Sequence, residues 1–244
     1  MTARTILIRL SCITSAFILA APQANAADIT IDSRTFHLPD GFTIERVATS
    51  PTIERPITAD FDEQGRLYVS ESSGTPDKLE KQLAEKPNRI VRLEDSKGDG
   101  HFDRRTLFAD RMMFPEGTMW LDGSLYVGAP PSIWKLTDTT GNGVADQRTE
   151  WFAGKTLTGC GNDIHGPYPG PDGFIYWCKG AFAEQTYARP GKTPFVTRAA
   201  HIFRCRPDGS GIEPVMTGGM DNPVEVAFSP GGERFFTATF LQHP

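Results

Sequence analysis

The sequence predicts an all-β protein, a β-propeller built of four-stranded blades, and three observations support this. The 244 residues include 24 Gly and 19 Pro, which separate short runs of Val, Ile, Phe, Tyr and Trp, as in all-β chains with many turns. A hairpin pattern of apolar strand, glycine-containing turn and aromatic strand occurs four times. The turn glycines, Gly65, Gly123, Gly173 and Gly232, recur at intervals of about 50–60 residues, near the period of propeller blades.

The individual elements are predicted as follows. Two lead-in strands, Phe36–Pro39 and Phe42–Ala48, flank an Asp40-Gly41 turn. The first strands of the repeated hairpins are Ile57–Phe61, Glu116–Trp120, the segment after Asp163, and Val224–Phe228. Their second strands are Arg66–Val69, Ser124–Val127, Phe174–Trp177 and Glu233–Thr237. Outer strands are predicted at Arg89–Leu93, Arg105–Phe108, Ser132–Leu136, Arg148–Phe152, His201–Cys205 and Ile212–Met216, and one short helix near Thr75–Glu85.

Residues 1–26 have the features of a secretory signal peptide. Arg4 and Arg9 precede an apolar run from Leu10 to Ala20, and Ala24-Asn25-Ala26 is a small-x-small cleavage site. The run is too short to span a bilayer, and no later segment approaches the ~20 apolar residues that a span requires. We therefore expect a periplasmic or secreted protein without a transmembrane span after cleavage; an ordinary N-terminal helix is the alternative.

Residues 27–244 are predicted to form one propeller domain. A two-sheet sandwich also uses short strands, but it would not repeat the same hairpin at this period. Propellers close with about 4–8 blades, and the chain supplies about four. We expect an incomplete six- or seven-bladed ring, truncated at the C-terminus; the alternative is a four-bladed ring closed by the N-terminal strands. The net charge of −5 and the lack of a basic run argue against nucleic acid as a partner.

Two similar loops, 43 residues apart, carry carboxylates and glycines at spacings that Ca²⁺ sites use. Their candidate ligands are Asp95, Asp99 and Asp103 in the first loop, and Asp138, Asn142 and Asp146 in the second. Lys97 and Thr140 stand where a third oxygen ligand is expected, and neither loop has a bidentate Glu. The alternative is a hairpin turn whose Asp and Asn side chains accept hydrogen bonds from their own backbone.

Three cysteines, Cys160, Cys178 and Cys205, remain after signal cleavage, which suggests one disulfide in an oxidising compartment. We favour Cys160–Cys178, which would join the loop before one strand to the following strand. Cys178–Cys205 and three unpaired buried thiols are the alternatives.

The segment Asp163-Ile164-His165 is the main candidate for chemistry. It precedes a first strand, so its side chains are expected to point toward the axial channel, and residues two apart lie on one face of an extended segment. A carboxylate can orient an imidazole, and a histidine is a ready general base near neutral pH. The other candidate channel residues are Glu116, Asn162, Lys179 and Glu225. The alternative is that Asp163 and His165 only tie the loop to a neighbouring blade.

Several motifs together resemble a known propeller. The motifs are Gly-Cys-Gly-Asn-Asp-Ile-His-Gly-Pro from Gly159, Gly-Pro-Asp-Gly-Phe-Ile-Tyr-Trp-Cys-Lys-Gly from Gly170, the two glycine-rich loops and Phe114-Pro115-Glu116-Gly117. Together they are similar to the membrane-bound dehydrogenase domain of planctomycete-type bacteria. That domain is more distantly similar to soluble glucose/sorbosone dehydrogenases that use pyrroloquinoline quinone (PQQ). The resemblance covers roughly Phe36 to Phe240.

The resemblance implies oxidation of a sugar or alcohol hydroxyl by hydride transfer to PQQ, with Ca²⁺ as a second cofactor and a cytochrome c as electron acceptor. His165 matches the position of the general base, and Asp163 would orient it. The PQQ enzymes follow this strand with a Gly-Asp pair, where this chain has Lys179-Gly180-Ala181. This departure favours a rival, a non-catalytic propeller that binds carbohydrate or a protein. A third possibility is a metal-dependent lactonase, to which Glu116, Asp163 and Glu225 could contribute ligands.

Overall fold

The computed structural model describes residues 27–154, 157–158, 163–182, 184–189 and 191–239. It is all-β, as predicted, and it divides into two units, Met1–Arg46 and Val47–Pro244. In the first unit, β1 (Ala27–Ile31) and β2 (Arg34–Leu38) form an antiparallel hairpin.

The predicted lead-in strands are partly wrong. The strand expected from Phe36 pairs with the preceding segment through a turn at Asp32, whose φ of 54° is left-handed. A short polar residue such as Asp tolerates that conformation. The segment from Phe42 is not a strand, because its expected partner is already paired and the Phe42 side chain is 66% exposed.

The second unit contains the predicted repeats. Its described elements are β3 (Pro56–Phe61), β4 (Leu67–Glu71), α1 (Leu79–Glu85), β5 (Asn88–Glu94), β6 (Arg104–Met112), β7 (Gly117–Leu121), β8 (Ser124–Ala129), β9 (Ser132–Thr137), β10 (Gln147–Ala153), β11 (Ile164–Pro169), β12 (Ile175–Lys179), β13 (Gln185–Tyr187), β14 (Phe195–Thr197), β15 (His201–Cys205), β16 (Glu213–Thr217), β17 (Asn222–Phe228) and β18 (Arg234–Thr239). The hairpin β13–β14 was not predicted, since its strands are only three residues long.

These strands form successive antiparallel sheets. Three are four-stranded, with the orders β3-β4-β5-β6, β7-β8-β9-β10 and β11-β12-β15-β16, and β17-β18 begins a further sheet. The first strands of consecutive sheets are in contact, β3 with β7, β7 with β11, and β11 with β17. Hydrogen bonds join them, since Trp120 N–H donates to Asp60 Oδ2 (2.6 Å) and Tyr168 O–H donates to the Val224 carbonyl (2.7 Å). The described residues do not form a closed propeller.

Apolar side chains fill the spaces between the sheets. Trp177 and Phe203 of the third sheet pack with Phe152 of the second, and Tyr68 and Phe108 of the first pack with Leu125 of the second. Burial of each such side chain stabilises the fold by roughly 1.5–3 kcal/mol. The sheets therefore need one another to cover their faces.

The second and third sheets are in close backbone contact at three glycines. A Cβ atom on Gly117 would lie 2.0 Å from the carbonyl oxygen of Gly166, and one on Gly128 would lie 2.1 Å from the same oxygen. Gly117 and Gly128 are register partners in β7 and β8. Gly166 has a φ of +97°, which side-chain-bearing residues avoid. Only glycine at these positions lets the backbone of β11 pack directly on β7 and β8.

We predict that Gly117→Ala lowers the free energy of unfolding by about 1–3 kcal/mol or more, because the new methyl group would meet backbone atoms that cannot rotate away. Chemical denaturation measures the effect. Gly231→Ala is the matched control, since its Cβ would meet only the carboxylate end of Glu233. Equal stability of the two variants would contradict the close backbone approach.

Candidate functional site

The candidate site lies where β11 begins and β12 ends. Ile164 is paired in register with Lys179, and the N–H of Gly180 donates to the carbonyl of Asp163 (3.0 Å). This pairing carries Asp163 into the sheet although it precedes the strand. The side chains of Asp163 and His165 are both buried, so the segment faces the interior and not the solvent.

The imidazole of His165 lies between groups from two other sheets. Its Nδ1 is 3.4 Å from Oε2 of Glu116, the residue before β7, and its Nε2 is 3.2 Å from Nδ2 of Asn222, the first residue of β17. An amide nitrogen can only donate, so Nε2 accepts this hydrogen bond and the proton of a neutral ring is on Nδ1, facing the carboxyl group. Three consecutive sheets thus contribute to one constellation.

Glu116 is held by its backbone, since its N–H donates to the carbonyl of Gly128 (2.8 Å). Its Oε2 is buried and has no hydrogen-bond partner of good geometry. Burial, and then the charge of Asp163, raises the pKa of Glu116 to about 8. The carboxyl group is therefore mostly protonated at neutral pH, and it can exchange a proton with a neighbouring base or ligand.

The carboxylate of Asp163 accepts two hydrogen bonds from its own loop. Its Oδ2 accepts hydrogen bonds from the N–H (2.8 Å) and the hydroxyl (3.1 Å) of Thr158. The carboxyl group beside the imidazole Nδ1 is that of Glu116. Asp163 and Asn222 line a small cavity of about 180 Å³. Asp163 is therefore close enough for its charge to act on Glu116, and the Glu116 carboxyl group lies beside Nδ1 of His165.

Lys179 is fully buried at the end of β12. Its ammonium group donates to the carbonyls of Gly180 (2.7 Å) and Ala199 (3.2 Å). Burial lowers the pKa of Lys179 to about 8, against the charge of Asp163, which raises it. The side chain is thus turned to the backbone around the site and not into a channel. The pKa of the neighbouring His201 is lowered to about 4, first by the burial of its imidazole and second by the charge of Lys179.

Two predicted channel residues, Glu225 and Asn162, remain. Glu225 lies exposed on β17, three residues beyond Asn222, where its charge adds to burial in raising the pKa of the Cys178 thiol to about 12. Asn162 lies outside the described residues. Asn222 was not among the predicted residues. Its position at the start of β17, like that of Asp163 before β11, was the available signal.

A family model described as a domain of unknown function (DUF7133) matches residues 30–242. The chain belongs to this family. A search of curated proteins gives no match. Among solved structures, a chain of a nidogen/laminin complex is similar at 12% sequence identity with a TM-score of 0.32, over 62% of this chain and 66% of that chain. This likeness is too low to assign a fold.

The two glycine-rich loops, at Asp95 and Asp138, are closed by their own backbone. The carboxylate of Asp95 accepts hydrogen bonds from the N–H groups of residues 97–100, and that of Asp138 from residues 140–143. The hydrogen bond from the N–H of Gly100 is the main cause that lowers the pKa of Asp95, and those from the other N–H groups add to it. Asp103 and Asp146 accept hydrogen bonds from Ser96 and Thr139.

Asp99 and Asn142 accept hydrogen bonds in the same loops, from the N–H groups of His101 and Val144. The described residues contain no group of three or more His, Cys, Asp or Glu side chains placed to hold a metal ion. These contacts favour the self-capped turn for both loops.

Cys178 and Cys205 are buried free thiols, so the alternative pairing between them is not formed. They face Ile202 and Ile175 across the β12–β15 register. Cys160 lies outside the described residues; because Cys178 is a free thiol, the predicted disulfide from Cys178 is not formed in this structure. No helix in the described part of the chain is both long and apolar enough to cross a membrane.

We predict that the folded protein loses stability as the pH rises from about 5 to about 8 through the titration of Glu116. The folded-state pKa of about 8 exceeds the ordinary value of 4.5, so the folded state binds the extra proton between these limits. The stabilisation from Glu116 is fully present below the pKa of the unfolded state and is lost above the pKa of the folded state. Its size is a few kcal/mol.

Chemical denaturation across this pH range measures it. Glu116→Gln should flatten the profile, whereas Glu225→Gln, a change at an exposed carboxylate, should leave it unchanged. The same slope in the wild type and in Glu116→Gln would contradict the assignment.

Proposed function

We propose that the second unit forms blades of a β-propeller. Three four-stranded meanders follow each other in the chain, and their first strands are in contact in the same order. Radial repetition of such sheets is how propellers are built. The proposal places β3, β7, β11 and β17 innermost, and it places Glu116, His165 and Asn222 near the axis.

We propose that this propeller is a sugar or alcohol dehydrogenase-like domain in which His165 is the general base. The observation that carries the proposal is the buried imidazole between Glu116 and Asn222, with Nε2 as the proton-accepting atom. A substrate hydroxyl would displace the amide of Asn222 from Nε2 and deliver its proton there, while the hydride on the same carbon would leave to a separate two-electron acceptor of the quinone class. Glu116 at Nδ1, when ionised, stabilises the imidazolium that forms, and the nearby charge of Asp163 acts in the same direction.

The described residues do not fit PQQ. The quinone carries several carboxylates, which need cationic partners. Among the described residues, Glu116 and Asn222 lie beside the imidazole and Asp163 is nearby, while Lys179 already donates to two backbone carbonyls. The adjacent cavity, about 180 Å³, is also smaller than the ~300–1,000 Å³ of typical ligand pockets. The described residues therefore have no assigned role toward the quinone, and a cytochrome c acceptor stays an implication of the resemblance.

A non-catalytic propeller that binds carbohydrate or a protein is the second candidate. The hydrogen bond from Asn222 to Nε2 favours it, because this bond occupies the lone pair that a general base must offer. In that case the imidazole would join the third sheet to the fourth. A metal-dependent lactonase would need a ligand cluster, and the described residues contain none.

We predict that His165→Gln lowers the rate of hydroxyl oxidation by about 10²–10⁴-fold without loss of folding, since removal of a general base has an effect of this size. The full chain is assayed with sugars and alcohols and an artificial electron acceptor, with and without added PQQ and Ca²⁺. Thermal unfolding shows whether each variant is folded, and Glu225→Gln serves as the control. An unchanged rate in His165→Gln would contradict the role of the histidine. A folded wild type that oxidises no substrate would support the binding propeller.

A further inference from the structure

A second surface, separate from the His165 constellation, has the features of a docking groove. It lies between α1 and the turn that joins β8 to β9, and its volume is about 160 Å³. Its apolar lining includes Leu83, Met113, Pro130, Pro131 and Trp134. Leu83 is 37% exposed, which leaves a large apolar side chain of the helix at the solvent edge of the groove.

Three cations, Lys86, Arg111 and Arg148, complete the lining, and no carboxylate takes part in it. Arg148 donates to the carbonyl of Asp110 (2.8 Å) and lies 3.9 Å from its carboxylate. In the described part of the chain, Lys86 and Arg111 have no carboxylate within ion-pair distance. A chain with a net charge of −5 therefore carries a locally positive rim around an apolar floor.

The two unpaired cations stand at uncommon backbone positions. Lys86 ends α1 with a φ of 49°, and Arg111 in β6 has a φ of 53°. Both are left-handed conformations that non-glycine residues seldom adopt. Glycine would adopt this backbone conformation with less strain, yet both positions carry long cationic side chains beside the same groove.

We propose that this groove binds an acidic segment of a partner protein that presents an apolar side chain. The apolar side chain fills the space between Leu83, Met113 and Trp134, and the flanking carboxylates meet the cations of the rim. Charge complementarity carries the choice of partner, since it steers association and selects the sign of the ligand. A nucleic acid is disfavoured by the acidic chain as a whole, and an inorganic anion would leave the apolar floor uncovered.

The test uses the full chain and a fluorescently labelled peptide, Glu-Asp-Leu-Phe-Asp-Glu, with binding followed by fluorescence anisotropy. We expect saturable binding that weakens with added salt. Arg111→Glu should weaken it about tenfold. Leu83→Ser should also weaken it, because the apolar contact is lost. Lys192→Glu, which makes the same charge change on an exposed loop, should leave it unchanged.

Two control peptides sharpen the result. Replacement of the acids by lysines should abolish binding, and replacement of Leu-Phe by Ser-Ser should weaken it. Absence of binding at low ionic strength, equal binding by Arg111→Glu, or equal binding of the lysine peptide would overturn the proposal. So would capture of the chain by vesicles containing anionic lipid with no affinity for the acidic peptide, or self-association that Arg111→Glu abolishes in sedimentation experiments.

Discussion

The candidate site depends on one backbone contact, the approach of Gly166 to Gly117 and Gly128. The carbonyl of Gly166 occupies space that a side chain at either position would fill. Glu116 directly precedes Gly117, and His165 directly precedes Gly166. The distance of 3.4 Å between their side chains is therefore set by how closely β7 and β11 pack. A side chain at these glycines would separate the two sheets and, with them, the carboxyl group and the imidazole.

The electrostatics of the site follow from burial on this contact. Two carboxyl groups, Glu116 and Asp163, are close enough for the charge of one to raise the pKa of the other. The nearest buried cation, Lys179, is held by two carbonyls. A buried carboxyl group without a cationic partner keeps its neutral form, so Glu116 retains its proton at neutral pH. This arrangement suits proton transfer better than it suits an anionic cofactor.

Much of the fold follows from local sequence, whereas the site depends on contacts between sheets. Turn glycines and aromatic runs predict nearly every strand of the repeats, because those signals lie within a few residues. The same signals place the first hairpin wrongly, since Phe36 could pair with either flanking segment. The sequence identifies Asp163 and His165 from a two-residue spacing. The pairing of His165 with Glu116 and Asn222, by contrast, joins residues that are roughly 50 apart.

The most direct test of the account is the protonation of His165, observed by NMR of the chain labelled with ¹⁵N in histidine. His165→Gln assigns the resonances of the ring. The structure predicts a neutral imidazole with the proton on Nδ1 and an acceptor Nε2, and replacement of Asn222 should change the Nε2 shift while the tautomer persists. A ring protonated on Nε2, or one that is insensitive to both Glu116→Gln and Asn222→Ala, would contradict the constellation on which the proposed chemistry rests.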